Sequence, residues 1–217
     1  RSVNLPFVRL MREIVEHYQA QRLGVKPDLL ADDDNPDRRP YLQRFADYEG
    51  KEYLARYWKR YRPMKPEERF RALWPASVEP SPRRVKAAQR YVYPDRVVLD
   101  EDPDQAKWDL QERAYVANVH PLELWLVKYL KDRPDATWAE AVAESSEARQ
   151  EAYGWLFRSG SKRGRDTRIR VLLEQDTFKE IHKDWKRMGF PFATLVPSYA
   201  TALGSSGDTP AALAELV

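Results

Sequence analysis

Cysteine is absent from this chain of 217 residues. Without a thiol, the protein can form no disulfide bond, cannot use a cysteine nucleophile and cannot bind zinc through sulfur. Histidine is also scarce: the three histidines, His17, His120 and His182, lie far apart and show no HExxH spacing. A structural role is favoured for each of them. We therefore expect no metal site and no cofactor.

Long apolar runs are missing as well. No stretch is long and apolar enough to span a bilayer, and no signal peptide is recognisable. The sequence contains neither GxGxxG nor GxxxxGK[ST], the glycine-rich loops that bind nucleotide phosphates, and it shows no repeat of solenoid period. These absences argue against a nucleotide-binding enzyme and against a repeat protein.

The charge is nearly balanced, with 37 basic and 34 acidic side chains and a formal net charge of +3. A nucleic-acid-binding protein normally carries a denser basic stripe, so no nucleic-acid partner is expected. Hydrophobic residues make up 42% of the chain, and it contains seven tryptophans and twelve tyrosines. This composition is typical of a folded globular protein and not of a disordered chain.

Apolar residues recur at helical spacing in most segments, and no pair of strands is evident. The pattern predicts an all-α fold, an irregular multi-helix bundle with long proline-rich connections. Residues 4–21 form the first predicted helix, and residues 63–103 are so rich in proline that their helices must be short. The apolar run that begins at Phe190 needs cover, for which the first helix is the natural candidate.

Several boundaries can be predicted from local signals. Ser81-Pro82, Asp104, His120-Pro121, Thr137, Ser146 and Asp166 are expected to start helices, while Gly24 and Gly189 are expected to end them. Gly50 is expected to divide residues 41–62 into two helices. Thr137 with Glu140 fits a capping box, and a ring nitrogen of His120 can serve a backbone group at the start of its helix.

Aromatic and basic residues alternate between Tyr53 and Arg62. Tyr53, Tyr57 and Tyr61 are four residues apart and therefore share one helix face. Such a run suits a surface that binds a glycan or a single strand. It equally suits a helix that packs its rings inward beneath Arg and Lys stems, and this second interpretation is favoured. The candidate ligand-binding residues are Tyr53, Arg56, Tyr57 and Trp58.

The two ends of the chain carry the informative motifs, which are specific in combination. Ser2-Val3-Asn4 is followed by Leu5-Pro6-Phe7-Val8-Arg9-Leu10 on the first predicted helix. This arrangement resembles the second active-site motif of penicillin-binding proteins, a Ser-x-Asn triplet before an apolar helix. That family also uses a Ser-x-x-Lys motif and a Lys-Thr-Gly motif.

The last residues carry a matching stretch, in the same order as in that family. Pro197-Ser198-Tyr199-Ala200-Thr201-Ala202-Leu203-Gly204 is followed by Thr209-Pro210-Ala211-Ala212-Leu213-Ala214. Class A, bifunctional members typically read Pro-Ser-Leu-Ala-Leu-Gly and then Thr-Pro-Leu-Glu-Leu-Ala. The resemblance covers roughly the first twenty and the last twenty-five residues.

The resemblance implies a domain organisation. Residues 1–21 and 193–217 would be pieces of a transpeptidase domain, and residues 22–192 would be a helical domain inserted between them. Ser2 would pass protons between the lysine of the first motif and the leaving group, and Asn4 would hydrogen-bond the backbone of the stem peptide. The nucleophilic serine and Lys-Thr-Gly would lie outside the chain, which is then a fragment without activity of its own. Ser159-Gly160-Ser161-Lys162 fits Ser-x-x-Lys formally but lies in a glycine-containing turn, so Ser159 is not expected to be the nucleophile.

The same resemblance implies partners and a location. The longer protein would act on peptidoglycan stem peptides, bind β-lactams, carry a glycosyltransferase domain and a membrane anchor, and work at the periplasmic face of the inner membrane. The inserted domain would bind or regulate, with a cell-envelope protein or glycan as its partner. Two alternatives remain open: a stand-alone helical module for an anionic polymer or a protein, and a helical scaffold with no ligand.

Overall fold

The computed structural model describes residues 5–96, 107–158 and 162–199. Within these ranges every regular element is helical and no strand is present, which confirms the all-α prediction. The α-helices are α1 (Leu5–Gln21), α2 (Arg38–Tyr61), α3 (Pro66–Arg69), α4 (Pro82–Val92), α5 (Leu110–Ala117), α6 (Pro121–Asp132), α7 (Trp138–Glu144), α8 (Ser146–Ala152), α9 (Trp155–Arg158) and α10 (Lys162–Arg187). Short 3-10 turns cover Pro27–Leu29, Arg71–Leu73 and Pro94–Arg96.

The chain divides into two compact units. One consists of the described parts of Arg1–Leu42 and Gly160–Val217, and the other of the described parts of Gln43–Ser159. These boundaries differ from the predicted ones at 21/22 and 192/193. The assignment of the two ends to a transpeptidase domain stays a prediction.

In the first unit, α1 packs against α10. Met11, Val15, Phe178 and Ile181 are buried there, and the partly buried residues packed on them are Ile14, Tyr18, Trp185, Leu195 and Tyr199. Gly189 ends the turn after α10 with a φ of +95°, which favours glycine over residues with a side chain. The segment beyond it contributes Leu195 and Tyr199 to the same core as α1, so the first helix covers part of the apolar run as expected.

The second unit is held together by a larger core. Helices α4, α5 and α6 contact one another, and α8 contacts α5 and α6. Their fully buried side chains include Ala88, Val92, Ala114, Leu122, Leu124, Leu126 and Leu130, to which α2 adds Leu54 and Tyr61. Burial of this many apolar side chains is the main force that stabilises the unit.

The predicted break at Gly50 is wrong. Helix α2 runs without interruption from Arg38 to Tyr61. A Cβ atom at position 50 would lie 2.8 Å from Cγ of the buried Arg149. The glycine at position 50 is therefore explained by the close approach of the Arg149 side chain and not by a helix end.

Two predicted helix starts also need correction. Helix α5 begins at Leu110, where Asp109 and Glu112 form a capping box, while Asp104 lies outside the described residues. Asp166 lies inside α10 and does not cap it, because its carboxylate pairs with Arg38 (2.6 Å) and Lys162 (3.2 Å). For Asp166, tertiary ion pairs occupy the carboxylate that the sequence pattern assigned to a helix cap.

Candidate functional site

The residues proposed from sequence fall into two groups. Ser2 and Asn4 lie outside the described residues. Tyr53, Tyr57 and Trp58 are half-buried on α2, and the guanidinium carbon of the exposed Arg56 lies 5.1 Å from the Tyr53 ring centre. The rings pack against other side chains, as the favoured interpretation of this run predicted. The proposal that all four bind a ligand stays a prediction.

A cleft of about 780 Å³ opens within the second unit beside this helix. Its residues come from α2, from the first turn of α4, from the end of α5 and from the start of α6. The polar side chains that line it are Tyr57, Ser81, Arg83, Arg84, Asn118, His120 and Glu123, and Tyr115 joins them. Of the four candidate residues on α2, Tyr57 is the one that lines the cleft.

His120 is the N-cap of α6. Its Nδ1 accepts a hydrogen bond from the Leu122 backbone N–H at 3.1 Å, as the sequence predicted for a ring nitrogen at this position. The ring stacks on Tyr53 at a centroid distance of 4.6 Å and lies 5.5 Å from Tyr57. Burial lowers the pKa of His120 to about 4, so the ring is neutral near pH 7. Because Nδ1 accepts, the proton of the neutral ring lies on Nε2, which is then a donor.

Glu123 is the carboxylate that lines the cleft, and it is 6% exposed. Its Oε1 accepts hydrogen bonds from Arg60 Nη1 at 2.9 Å and from the Tyr61 hydroxyl at 2.6 Å. Burial raises the pKa of Glu123, against the opposing effect of Tyr61 and Arg60. The carboxylate of Glu123 is therefore already bound by two groups of the protein itself.

Arg83 and Arg84 differ from Glu123 in this respect. Neither guanidinium forms an ion pair or a hydrogen bond within the described ranges. Ser81, the N-cap of α4, makes no side-chain hydrogen bond to the helix. Tyr115 beside them exposes 86% of its surface, an unusual placement for a large aromatic side chain. The cleft thus combines two free cations with an exposed ring.

The chemistry of the cleft favours binding over covalent catalysis. Its donors include two guanidinium groups, a neutral imidazole N–H, the Tyr57 and Ser81 hydroxyls and the Asn118 amide, while its carboxylate is held by Arg60 and Tyr61. The described ranges contain no group of three His, Asp or Glu side chains that could hold a metal ion. In those ranges we also find no helix with the length and apolar character that a membrane crossing requires.

Comparison with protein-family models, with curated proteins and with solved structures gives no match for this chain.

Proposed function

We propose that the chain is part of a peptidoglycan transpeptidase of the penicillin-binding type, in which a helical block separates two pieces of the acyl-transfer domain. Two stretches of sequence support this. One is Ser2-Val3-Asn4 with the apolar helix that follows it, and the other is Leu203-Gly204 with the later Thr209-Pro210. The longer protein would stand at the periplasmic face of the inner membrane, with an anchor and a glycosyltransferase domain outside this chain.

The observation that carries the proposal is the packing of α1. This helix directly follows the Ser-x-Asn triplet, and it shares a core with Leu195 and Tyr199, which lie a few residues before Leu203-Gly204. Tyr199 is held from two sides, because its ring meets Phe178 at 6.2 Å and its backbone N–H donates to Glu174 Oε1 at 3.1 Å. A domain that tolerates a large insertion needs its two pieces in contact in this way.

The proposal assigns roles to the two ends. In the longer protein, Ser2 would relay a proton during attack of a serine on the D-Ala-D-Ala amide, and Asn4 would hold the backbone of the peptide. That serine and the Lys-Thr-Gly strand would come from sequence outside this chain. The second unit would then act in binding or regulation, toward a cell-envelope protein or glycan.

Acylation by a fluorescent penicillin tests this function in the longer protein. We expect Ser2→Ala to slow acylation about 100-fold, since a positioned proton-transfer group contributes about that much or more. Asn4→Ala should slow it as well. The control is Ser146→Ala at the exposed first residue of α8, which should acylate within twofold of the unchanged protein.

Two results would contradict the proposal. One is a longer protein that the penicillin does not label, and the other is equal acylation by the Ser2→Ala and Ser146→Ala variants. The first result would leave the stand-alone helical module as the alternative, and the second would remove the role assigned to Ser2.

A further inference from the structure

The cleft of the second unit has more hydrogen-bond donors than the protein itself uses. The Tyr57 hydroxyl has no hydrogen-bond partner within the described ranges, and the same is true of His120 Nε2. Arg83 and Arg84 lie beside them with both guanidinium groups unpaired in the same ranges. Tyr57, His120 and Arg84 are half-buried and Arg83 is exposed. Half-buried donors normally have a partner, which is here solvent or a ligand.

The charge in the cleft is positive. Arg83 and Arg84 contribute two cations. Glu123 offsets neither, because its carboxylate is already bonded to Arg60 at 2.9 Å and to Tyr61 at 2.6 Å. His120 is neutral near pH 7 and adds a donor without adding a charge. An anion is the ligand that such a cleft favours.

We infer that the cleft binds an oxyanion group, a carboxylate or a phosphate, on a ligand that also carries a ring. Guanidinium groups bind these anions through paired N–H donors, and such charge-assisted bonds are about twice as strong as neutral ones. His120 Nε2 and the Tyr57 hydroxyl provide further donors within the same cleft. Tyr115, which is 86% exposed, provides an aromatic face on which the ring of the ligand stacks.

This site does not depend on the transpeptidase assignment. The cleft lies wholly within the described part of Gln43–Ser159. The Ser-x-Asn motif belongs to the first unit, at the start of the chain. Loss of penicillin acylation would leave anion binding untouched, and loss of anion binding would leave acylation of the longer protein untouched.

Calorimetric titration of the 217-residue chain at low salt tests the inference. The probes are phenyl phosphate, benzoate and inorganic phosphate. We expect phenyl phosphate or benzoate to bind at one site. Whichever of the two probes binds more tightly shows whether the cleft prefers phosphate or carboxylate. Inorganic phosphate should bind several-fold more weakly than phenyl phosphate, because it has no ring to place on Tyr115.

Two double variants with the same change in net charge distinguish binding at a specific site from general electrostatic attraction between the protein and the anion. Arg83→Gln with Arg84→Gln should weaken binding at least about tenfold, since each lost charged hydrogen bond has an effect of that order. Lys59→Gln with Arg12→Gln, both exposed and outside the cleft, should change it less than about twofold. Thermal unfolding of each variant verifies that it is folded.

The inference fails if neither aromatic probe binds the folded chain. It also fails if the control pair weakens binding as much as the arginine pair, because the attraction would then be that of net charge alone. A Tyr115→Ala variant that binds phenyl phosphate as well as the unchanged chain would overturn the part of the inference that concerns the ring.

Discussion

Arg69 shows how a single buried side chain joins two helices of the second unit. It is 4% exposed, and it donates Nε to the Tyr61 carbonyl at 3.1 Å and Nη1 to the Leu130 carbonyl at 3.0 Å. Both carbonyls belong to the last turns of their helices, α2 and α6. The Leu130 carbonyl meets no helical N–H, since the residue four positions on is Pro134, whereas the Tyr61 carbonyl also accepts from the Met64 N–H at 3.1 Å. Arg69 therefore gives the end of α6 a partner that it would otherwise lack, and it adds a second donor at the end of α2.

Replacing Arg69 with Met keeps much of the side-chain volume and removes both hydrogen bonds. We expect the free energy of unfolding to fall by about 1–3 kcal/mol, because the buried Leu130 carbonyl loses its donor and the Tyr61 carbonyl keeps only the Met64 N–H. Urea unfolding measures it. Lys59→Met, at an exposed position of α2, is the control and should change the value by less than about 0.5 kcal/mol. Equal effects of the two substitutions would show that Arg69 does not cap these helices.

His120 makes the stability of the second unit depend on pH. Its pKa is lowered by burial to about 4 in the folded protein, from near 6.5 in the unfolded chain. Above pH 6.5 the ring is neutral in both states, so its burial does not make the free energy of unfolding depend on pH. As the pH falls from about 6.5 to 4, only the unfolded state takes up the proton, so the free energy of unfolding decreases.

His120→Asn should remove this part of the pH dependence, since asparagine is a favoured N-cap and does not titrate. The stability advantage of the histidine protein over the variant should shrink by about 1–2 kcal/mol between pH 7.5 and pH 5. Urea unfolding at the two pH values measures it. Parallel pH profiles would mean that the ring is protonated in the folded state as readily as in the unfolded chain.

Helix α2 depends on the absence of a side chain at position 50. Glycine inside a helix normally costs about 1 kcal/mol relative to alanine. Here a Cβ atom would lie 2.8 Å from Cγ and 2.9 Å from Cδ of Arg149. Arg149 is held in place by Asp47 Oδ1, at 2.9 Å from Nε and 2.7 Å from Nη2, and by the Val142 carbonyl at 2.6 Å from Nη1. The arginine therefore has little room to move away.

Gly50→Ala should lower the free energy of unfolding by about 1–2 kcal/mol, since overpacking outweighs the gain in helix propensity. In an Arg149→Ala background the same substitution should be neutral or stabilising, because the obstruction is gone. Chemical unfolding of the four proteins in this cycle measures the coupling. Stabilisation by Gly50→Ala alone would contradict the contact.

At the level of elements, sequence succeeded where a signal is local. His120-Pro121 and Thr137 start α6 and α7 as predicted, and Thr137 forms its capping box with Glu140. Local sequence signals gave the wrong helix boundary where a residue contacts a partner that is distant in sequence. Gly50 faces Arg149, and Asp166 pairs with Arg38 at 2.6 Å, so neither ends nor starts a helix. No spacing within one segment indicates such a contact.

The same distinction applies to the cleft. Tyr57 was a candidate from sequence because it belongs to a run of rings and bases, and His120 was recognised as a helix cap. Arg83, Arg84, Asn118 and Glu123 were missed, because they come from three further elements and follow no local pattern. Only the packing of α4, α5 and α6 brings them to one cavity. That the two arginines have no partner among residues 5–96, 107–158 and 162–199 is a property of the fold and could not be inferred from composition.

At the scale of the whole molecule, the chain consists of two compact units, and the two ends of the sequence belong to the same one. The two ends that resemble a transpeptidase bracket a separate helical unit, and α1 shares a core with Leu195 and Tyr199 in the first unit. The second unit has its own core and its own cleft. An acyl-transfer domain split by a binding unit is consistent with both observations.

Peptide mapping of the longer protein after reaction with a labelled penicillin tests this account most directly. We predict one labelled serine, in a Ser-x-x-Lys sequence that precedes Arg1, and no label on the 217-residue chain treated alone. Label on Ser159 of this chain, or no label anywhere in a folded longer protein, would contradict it.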